Sequence, residues 1–265
     1  MARSRTPDGG DPADEIADVA AQLKLTALTK EESARLLQRA EAEQISYSSF
    51  VLEVLKLEAK ARRERRLDRN LKRSKLNCVV DRLDDFDFSI RSKLSPRLVR
   101  ELLHCQWVTE ARNILCVGRP GLGKTRVLKA LGRAACEQGF TVRYAITVDV
   151  LEELQAALAD GSYRRTFQRY KHIDVLILDE FAYEPFDPRA TQHVFRLISA
   201  RHGLAPTLLA ANTGFSKWSS LFPSEAQAVA TVDRLIDNAT ILHFTGKSSR
   251  KPKDGSMDVV DDHDD

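Results

Sequence analysis

The chain has 265 residues, of which 43% are hydrophobic and 30% are charged, and its formal net charge is +3. This length and composition predict one core domain with a smaller appendage, rather than a disordered or fibrous protein. No apolar run approaches the roughly 18 residues of a membrane-spanning helix, and the amino terminus has no apolar signal segment. We therefore predict a cytoplasmic protein without a membrane partner.

The first part of the chain is predicted to be helical. Residues 1–15 are rich in Pro, Gly and Asp, which predicts disorder. Residues 16–77 carry Leu and Val at helical spacing and no strand pattern, which predicts a small all-helical N-terminal domain. Thr29 followed by Glu32 has the spacing of a capping box, which marks one helix start.

The last helix of this domain is strongly basic. Its excess of positive charge fits a phosphate backbone, and its lack of aromatic residues argues against stacking on single strands. A solvated helix with Glu–Arg pairs is the simpler alternative. The residues for which DNA contacts are predicted are Arg62, Arg63, Arg65, Arg66, Arg69, Lys72 and Arg73.

The rest of the chain divides into three further segments. Residues 78–112 are predicted to be a linker and docking segment, with Phe86 and Phe88 packing on the next domain. Residues 113–250 alternate short apolar stretches with helical ones, which predicts an α/β fold with a parallel sheet sandwiched by helices. Residues 251–265 are acidic and are predicted to form a disordered tail.

The four cysteines are scattered, without a C-x-x-C pair or a histidine at metal-ligand spacing. Two of them lie in apolar patterns that indicate core positions. This spacing predicts reduced, structural thiols in a reducing compartment. They are Cys78, Cys105, Cys116 and Cys136.

The stretch GRPGLGKT matches G-x-x-x-x-G-K-[ST] between a predicted strand and a predicted helix. Its glycines allow successive backbone N–H groups to point at phosphate oxygens, and the helix N-terminus favours the same anion. Lys124 is expected to reach the β- and γ-phosphates of ATP, and Thr125 to bind Mg²⁺. The predicted ATP-binding residues are Gly118, Arg119, Pro120, Gly121, Leu122, Gly123, Lys124 and Thr125.

A second motif, VLILDE, is an apolar strand that ends in two carboxylates. The carboxyl end of a parallel strand lies in the crevice where α/β sheets bind ligands. We expect Asp179 to hold Mg²⁺ and Glu180 to polarise a water for attack on the γ-phosphate. An acidic helix cap after a core strand is the alternative.

Two later residues are candidates with weaker local signals. Asn212 ends the apolar strand in LLAANTGF, where it can orient water and phosphate, although Asn-Thr-Gly is also good turn chemistry. Arg234 lies on a late helix, where an arginine can stabilise transition-state charge in a neighbouring subunit or simply be solvated.

The motif order resembles the IstB-type ATPases of insertion sequences, relatives of DnaC-like helicase loaders in the AAA+ superfamily. The motifs are GRPGLGKT, VLILDEFAYEPFD, LLAANTGFSKW and DRLIDNATILHFTGKSSR, preceded by the basic run. The resemblance implies that Asp179 and Glu180 are Walker B, Asn212 is sensor 1 and Arg234 is a finger acting across a subunit boundary. The family usually has Tyr before the final Arg, whereas Ser249 precedes Arg250 here, and Arg126 stands where relatives often have His.

The resemblance also implies a function. It predicts an AAA+ ATPase that uses ATP and Mg²⁺, binds double-stranded DNA, forms a homo-oligomer with inter-subunit ATP sites and engages a transposase. A DnaC-like loader of a replicative helicase is the main alternative, and the basic run favours the transposition helper. A small-molecule kinase and a non-hydrolysing nucleotide switch are further alternatives, against which the consecutive Asp179 and Glu180 argue.

Overall fold

The computed structural model describes residues 11–76, 83–90 and 93–246. The chain divides into two compact units, Met1–Arg69 and Asn70–Asp265. The boundary lies inside the basic helix, whereas the sequence predicts it after residue 77. Cys78, Arg250 and the acidic tail lie outside the described residues.

The described part of the first unit is helical, with a small apolar core. Its elements are α1 (Pro12–Gln22), α2 (Lys30–Ala42) and the first part of α3 (Tyr47–Ser74). Ala20, Leu28 and Leu36 are buried, and Phe50 and Val54 pack against them. These helices therefore bury their apolar side chains against one another.

Helix α1 begins earlier than the sequence predicts. The Asp11 carboxylate accepts a hydrogen bond from the Ala13 N–H at 3.0 Å, and Pro12 occupies the first turn. An Asp cap followed by Pro favours helix initiation because Pro already has a helical φ and needs no N–H partner there. Residues 12–15, for which the sequence predicts disorder, are part of this helix.

The second unit is built on a parallel sheet. Its strands are β1 (Asn113–Gly118), β2 (Val142–Ile146), β3 (Val175–Phe181), β4 (Thr207–Ala211) and β5 (Ala239–Phe244). Its helices are α4 (Pro96–Leu102), α5 (Gln106–Thr109), α6 (Lys124–Glu137), α7 (Thr147–Ala159), α8 (Tyr163–Lys171), α9 (Pro188–Arg201) and α10 (Glu225–Ile236), with a 3₁₀ helix at Phe215–Leu221. The predicted α/β fold is confirmed.

The strand order β2-β3-β4-β1-β5 determines which loops meet. All neighbouring pairs are parallel, so the carboxyl ends of the strands lie at one edge of the sheet. Strand β4 lies between β1 and β3, with Ala211 opposite both Val117 and Phe181. The loop after β1 and the end of β3 therefore flank the end of β4, as ligand sites in such sheets require.

The predicted linker is more ordered than its composition suggests. It contains α4 and α5, and Trp107 is 2% exposed with its indole N–H donating to the Leu102 carbonyl at 2.7 Å. The Phe86 ring is buried, and the Arg126 guanidinium lies 5.7 Å from its centroid while pairing with Asp85. The docking residue Phe86 therefore packs at the start of α6.

A buried arginine joins the amino ends of two strands. Arg201, at the end of α9, is 1% exposed and donates to the Thr207 hydroxyl at 3.1 Å. It also donates to four backbone carbonyls at 2.6 to 3.0 Å, those of Tyr170, Lys171, Ile173 and Pro206. Burial lowers the pKa of Arg201 to about 10, so the guanidinium remains charged at neutral pH.

Candidate functional site

The glycine loop follows β1 directly and has backbone conformations that favour glycine. Gly121 and Gly123 have φ values of 80° and 91°. Gly118 has φ of 154°, and a Cβ placed there would lie 2.1 Å from the Phe244 carbonyl oxygen. Gly118 is therefore required by the close approach of β5 as well as by the loop.

Lys124 begins α6 and lies within this loop. It is 6% exposed, and its ammonium donates to the Gly118 carbonyl at 2.5 Å and to the Arg119 carbonyl at 2.8 Å. Leu122 is also buried, at 1% exposed. The loop thus holds a buried cation at the N-terminus of a helix, an arrangement that favours anions.

The Asp179 carboxylate, at this edge of the sheet, is buried and accepts three hydrogen bonds. It is 5% exposed, and its Oδ1 accepts from the Thr125 hydroxyl at 3.1 Å and from the Glu180 N–H at 2.9 Å. Its Oδ2 accepts from the Tyr144 hydroxyl at 2.7 Å. The structure therefore brings together the two predicted metal ligands, Thr125 and Asp179.

Strand β2 and the start of α7 contribute two residues that the sequence analysis missed. Besides the Tyr144 contact, the buried Thr147 hydroxyl donates to the Asp179 main-chain carbonyl at 2.7 Å. Strand β2 pairs with β3 so that Ile146 is opposite Asp179. The sequence signal available for them was a Tyr and a Thr at the end of a predicted strand. This signal points to the acidic pair only when the strand order is known.

Glu180 is oriented differently from Asp179. It is exposed and has φ of 52°, and the pairing of β3 with β4 shifts register between Leu178 and Phe181. A cavity of about 660 Å³ beside it is lined by residues of α7, of the 182–187 segment and of α9. A non-glycine residue in the left-handed region is uncommon and occurs often at functional sites.

The donor set fits a magnesium nucleotide better than a metal ion held by protein alone. Within residues 11–76, 83–90 and 93–246, no group of three or more His, Cys, Asp or Glu side chains is placed to hold a metal ion. The Thr125 hydroxyl and the Asp179 carboxylate are hard oxygen donors. Mg²⁺ accepts such donors when water and phosphate complete its coordination shell.

The other two predicted catalytic residues lie at opposite ends of the sheet. Asn212 directly follows β4, between the ends of β1 and β3, and is half-buried. Arg234 is half-buried on α10, with its guanidinium 4.8 Å from the Phe195 ring centroid. The carbonyl of the next residue, Leu235, accepts a hydrogen bond from the Asn113 side chain at 3.0 Å, so this turn of α10 lies at the start of β1. The length of β1 separates Asn113 from Gly118 by about 17 Å.

The predicted DNA contacts divide into two groups. Glu58, 5% exposed, accepts from the Ala27 N–H at 3.0 Å and from Arg62 and Arg65 at 2.8 and 2.9 Å. Burial raises the pKa of Glu58, but these hydrogen bonds outweigh burial and hold the pKa below its usual value. Arg62 and Arg65 therefore stabilise the first unit. Of the whole predicted set, Arg65 is half-buried and the others are exposed.

Three of the four cysteines are described, and all are buried thiols. Burial raises the pKa of the Cys116 thiol, and burial with the Glu137 charge raises that of Cys105 to about 12. Cys136 lies buried on α6. A thiol with a raised pKa is a weak nucleophile, which agrees with a structural role.

The sheet order, the glycine loop after β1 and the acidic pair ending β3 define a P-loop nucleotide-binding protein of the AAA+ class. The family described as IstB-like ATP binding protein matches residues 18–256. The chain therefore belongs to this family. No described helix has the length and apolarity to cross a membrane.

Individual relatives agree with this assignment. The chain is 32% identical to the ATP-binding protein of insertion sequence IS21 from Pseudomonas aeruginosa, covering 81% of each chain. It is also 32% identical to an insertion-sequence ATP-binding protein of Mycobacterium tuberculosis, covering 92% of this chain and 96% of that one. The DnaC helicase loader has a similar fold, with a TM-score of 0.50 and 19% identity over 56% of this chain and 87% of that one.

Gly118→Ala tests the double role of this residue in loop and sheet. The added Cβ collides with the Phe244 backbone oxygen, so we expect a lower free energy of unfolding, by about 2 kcal/mol, and weaker nucleotide binding. Urea titration and equilibrium binding of a fluorescent ATP analogue measure the two effects. Gly214→Ala is the control, because a Cβ there meets no atom within 4 Å. Equal stability of both variants would contradict this explanation.

Proposed function

We propose that this protein is an ATPase of an insertion sequence, which uses ATP and Mg²⁺ to assemble on double-stranded DNA and to engage a transposase. The observation that carries the ATPase proposal is the Thr125–Asp179 contact of 3.1 Å beside the buried Lys124. A hydroxyl, a carboxylate and a cation in a glycine loop are the groups that phosphoryl transfer in P-loop proteins requires.

Each residue of the site has a chemical task in this proposal. The loop N–H groups and Lys124 bind the phosphate chain, and bound Mg·ATP supplies the phosphoanhydride bond that is cleaved. Thr125 and Asp179 hold the metal, directly or through water. Glu180, exposed next to Asp179, accepts a proton from the attacking water, and Asn212 orients that water.

Arg234 is assigned to a neighbouring subunit's nucleotide. Its turn of α10 lies at the start of β1, far from the loop of its own chain. An arginine that stabilises the transferring phosphoryl group must come within contact distance of it. Supply from the adjacent protomer meets this requirement and makes the homo-oligomer part of the catalytic site.

The DNA surface is assigned to one face of α3. Arg62, Arg66 and Arg69 of the first unit are all exposed, with spacings of four and three, which places them along one side of a helix over about 10 Å. Such a row neutralises phosphates without reading bases, so we expect binding that is independent of sequence and sensitive to salt.

The assignment of a transposase partner rests on relatives. The two sequence relatives described above are ATP-binding proteins of insertion sequences, whereas the similarity to the DnaC loader is one of fold at 19% identity. Proteins with similar folds carry out many functions, so a similar fold alone does not support the hypothesis of a helicase partner. We therefore favour the transposase.

Hydrolysis is tested by separating binding from turnover. Lys124→Ala is expected to lose ATP binding, because the loop loses its cation. Glu180→Gln is expected to keep ATP binding and to reduce turnover about 100-fold, because it removes the general base. Phosphate release and equilibrium ATP binding measure these effects. Glu184→Gln, an exposed carboxylate nearby, serves as the control. Normal turnover in Glu180→Gln would show that another group activates water.

DNA binding is tested with the double reversal Arg66→Glu, Arg69→Glu. We expect loss of duplex affinity at moderate salt, and a slope of log affinity against log salt that is reduced by about 2 in magnitude. ATP binding should be unchanged. Arg62 and Arg65 are left intact because they hold Glu58, and Arg35→Glu on α2 is the exposed control. Wild-type affinity in the double variant would place the DNA surface elsewhere.

The client is tested by mixing the purified full-length protein with DNA and Mg·ATP. The transposase of the same insertion sequence is expected to join the assembly, as measured by light scattering coupled to size-exclusion chromatography. Lys124→Ala should fail to form this complex, because assembly needs ATP. The host replicative helicase is the comparison partner. Association with the helicase but not the transposase would favour the loader alternative.

A further inference from the structure

Tyr144 supplies the third hydrogen bond to the Asp179 carboxylate. Two donors, the Thr125 hydroxyl and the Glu180 N–H, meet Oδ1, and the Tyr144 hydroxyl meets Oδ2 at 2.7 Å. An ionised carboxylate accepts roughly four hydrogen bonds, so most of its capacity is used within the protein. Because both oxygens are held, the plane of the carboxylate cannot rotate without breaking a bond.

The Tyr144 ring is itself held between the sheet and α6. Strand β2 pairs Tyr144 with Ile177, two positions before Asp179 on β3. On the other side, the Lys129 ammonium lies 4.6 Å from the ring centroid. Lys129 is one helical turn after Thr125 on α6. The tyrosine therefore connects the strand that carries Asp179 to the helix that carries Thr125.

We propose that Tyr144 is a positioning residue for magnesium: its hydroxyl fixes Oδ2 so that Oδ1 stays directed at Thr125. This inference rests on the proposed Mg²⁺-dependent ATPase function. Residues that hydrogen-bond a metal ligand orient that ligand, and their loss commonly costs ten- to a hundred-fold in metal affinity or activity. Tyr144 does not contact the reacting atoms in this scheme, so its effect should appear in metal affinity rather than in nucleotide recognition.

Tyr144→Phe is the direct test, because it removes the hydroxyl and keeps the ring under Lys129. We expect the Mg²⁺ concentration for half-maximal effect to rise about tenfold. ATP affinity measured in EDTA should match the wild type, and turnover at saturating Mg²⁺ should fall less than about threefold. A Mg²⁺ titration of fluorescent ATP-analogue binding, with the full chain, gives the metal affinity without reference to turnover.

Tyr47→Phe is the matched control, because Tyr47 is 93% exposed and belongs to the first unit. Wild-type Mg²⁺ dependence in Tyr144→Phe would overturn the inference and leave the ATPase proposal standing. By contrast, a wild-type protein that neither binds nor hydrolyses ATP with Mg²⁺ would overturn the proposed function itself.

A second variant covers the case in which Tyr144→Phe does not fold. Lys129→Met keeps the hydroxyl but removes the cation over the ring, which releases the ring from one side. A Mg²⁺ half-saturation that rises about threefold, with ATP affinity in EDTA unchanged, supports the inference. In that case, an unchanged Mg²⁺ half-saturation in Lys129→Met overturns the inference.

Discussion

The Asp179 carboxylate is nearly inaccessible to water, and its need for hydrogen-bond donors governs the geometry of the site. One donor comes from the helix after β1, one from the next residue of its own strand, and one from β2. Strand β4 lies between β1 and β3, so the Thr125 contact crosses the end of an intervening strand. The loop and the acidic pair therefore meet at this edge of the sheet, and Asn212 follows the strand that lies between them.

Much of the geometry of the candidate site could be predicted from the sequence because its signals are local. The glycine and lysine spacing of GRPGLGKT is continuous in the chain, and the apolar run before Asp179 indicates a buried strand by itself. In a parallel sheet, consecutive strand–helix units place such strand ends at one edge. The family resemblance adds Asn212 and Arg234 as candidates, whereas the local sequence alone favours a turn asparagine and a solvated arginine.

The contacts that escaped prediction depend on residues distant in sequence. Tyr144 and Asp179 are 35 positions apart, and the Ala27 N–H that meets Glu58 is 31 positions from it. The tyrosine of β2 is a weak signal by itself, because aromatic residues are common in strands. Likewise, the Glu–Arg spacing of four in α3 predicts a surface pair, whereas the tertiary contact buries the glutamate and makes the pair structural.

The Arg201 cluster gives the sheet two unlike ends. At the amino end, one guanidinium secures the chain just before β3 and just before β4, and moving either segment would remove hydrogen-bond acceptors from a buried charge. At the carboxyl end, Glu180 and Ala182 adopt left-handed conformations next to an open cavity. In the proposed ATPase cycle, rearrangements should therefore occur at the carboxyl end of the sheet, while the amino end stays fixed.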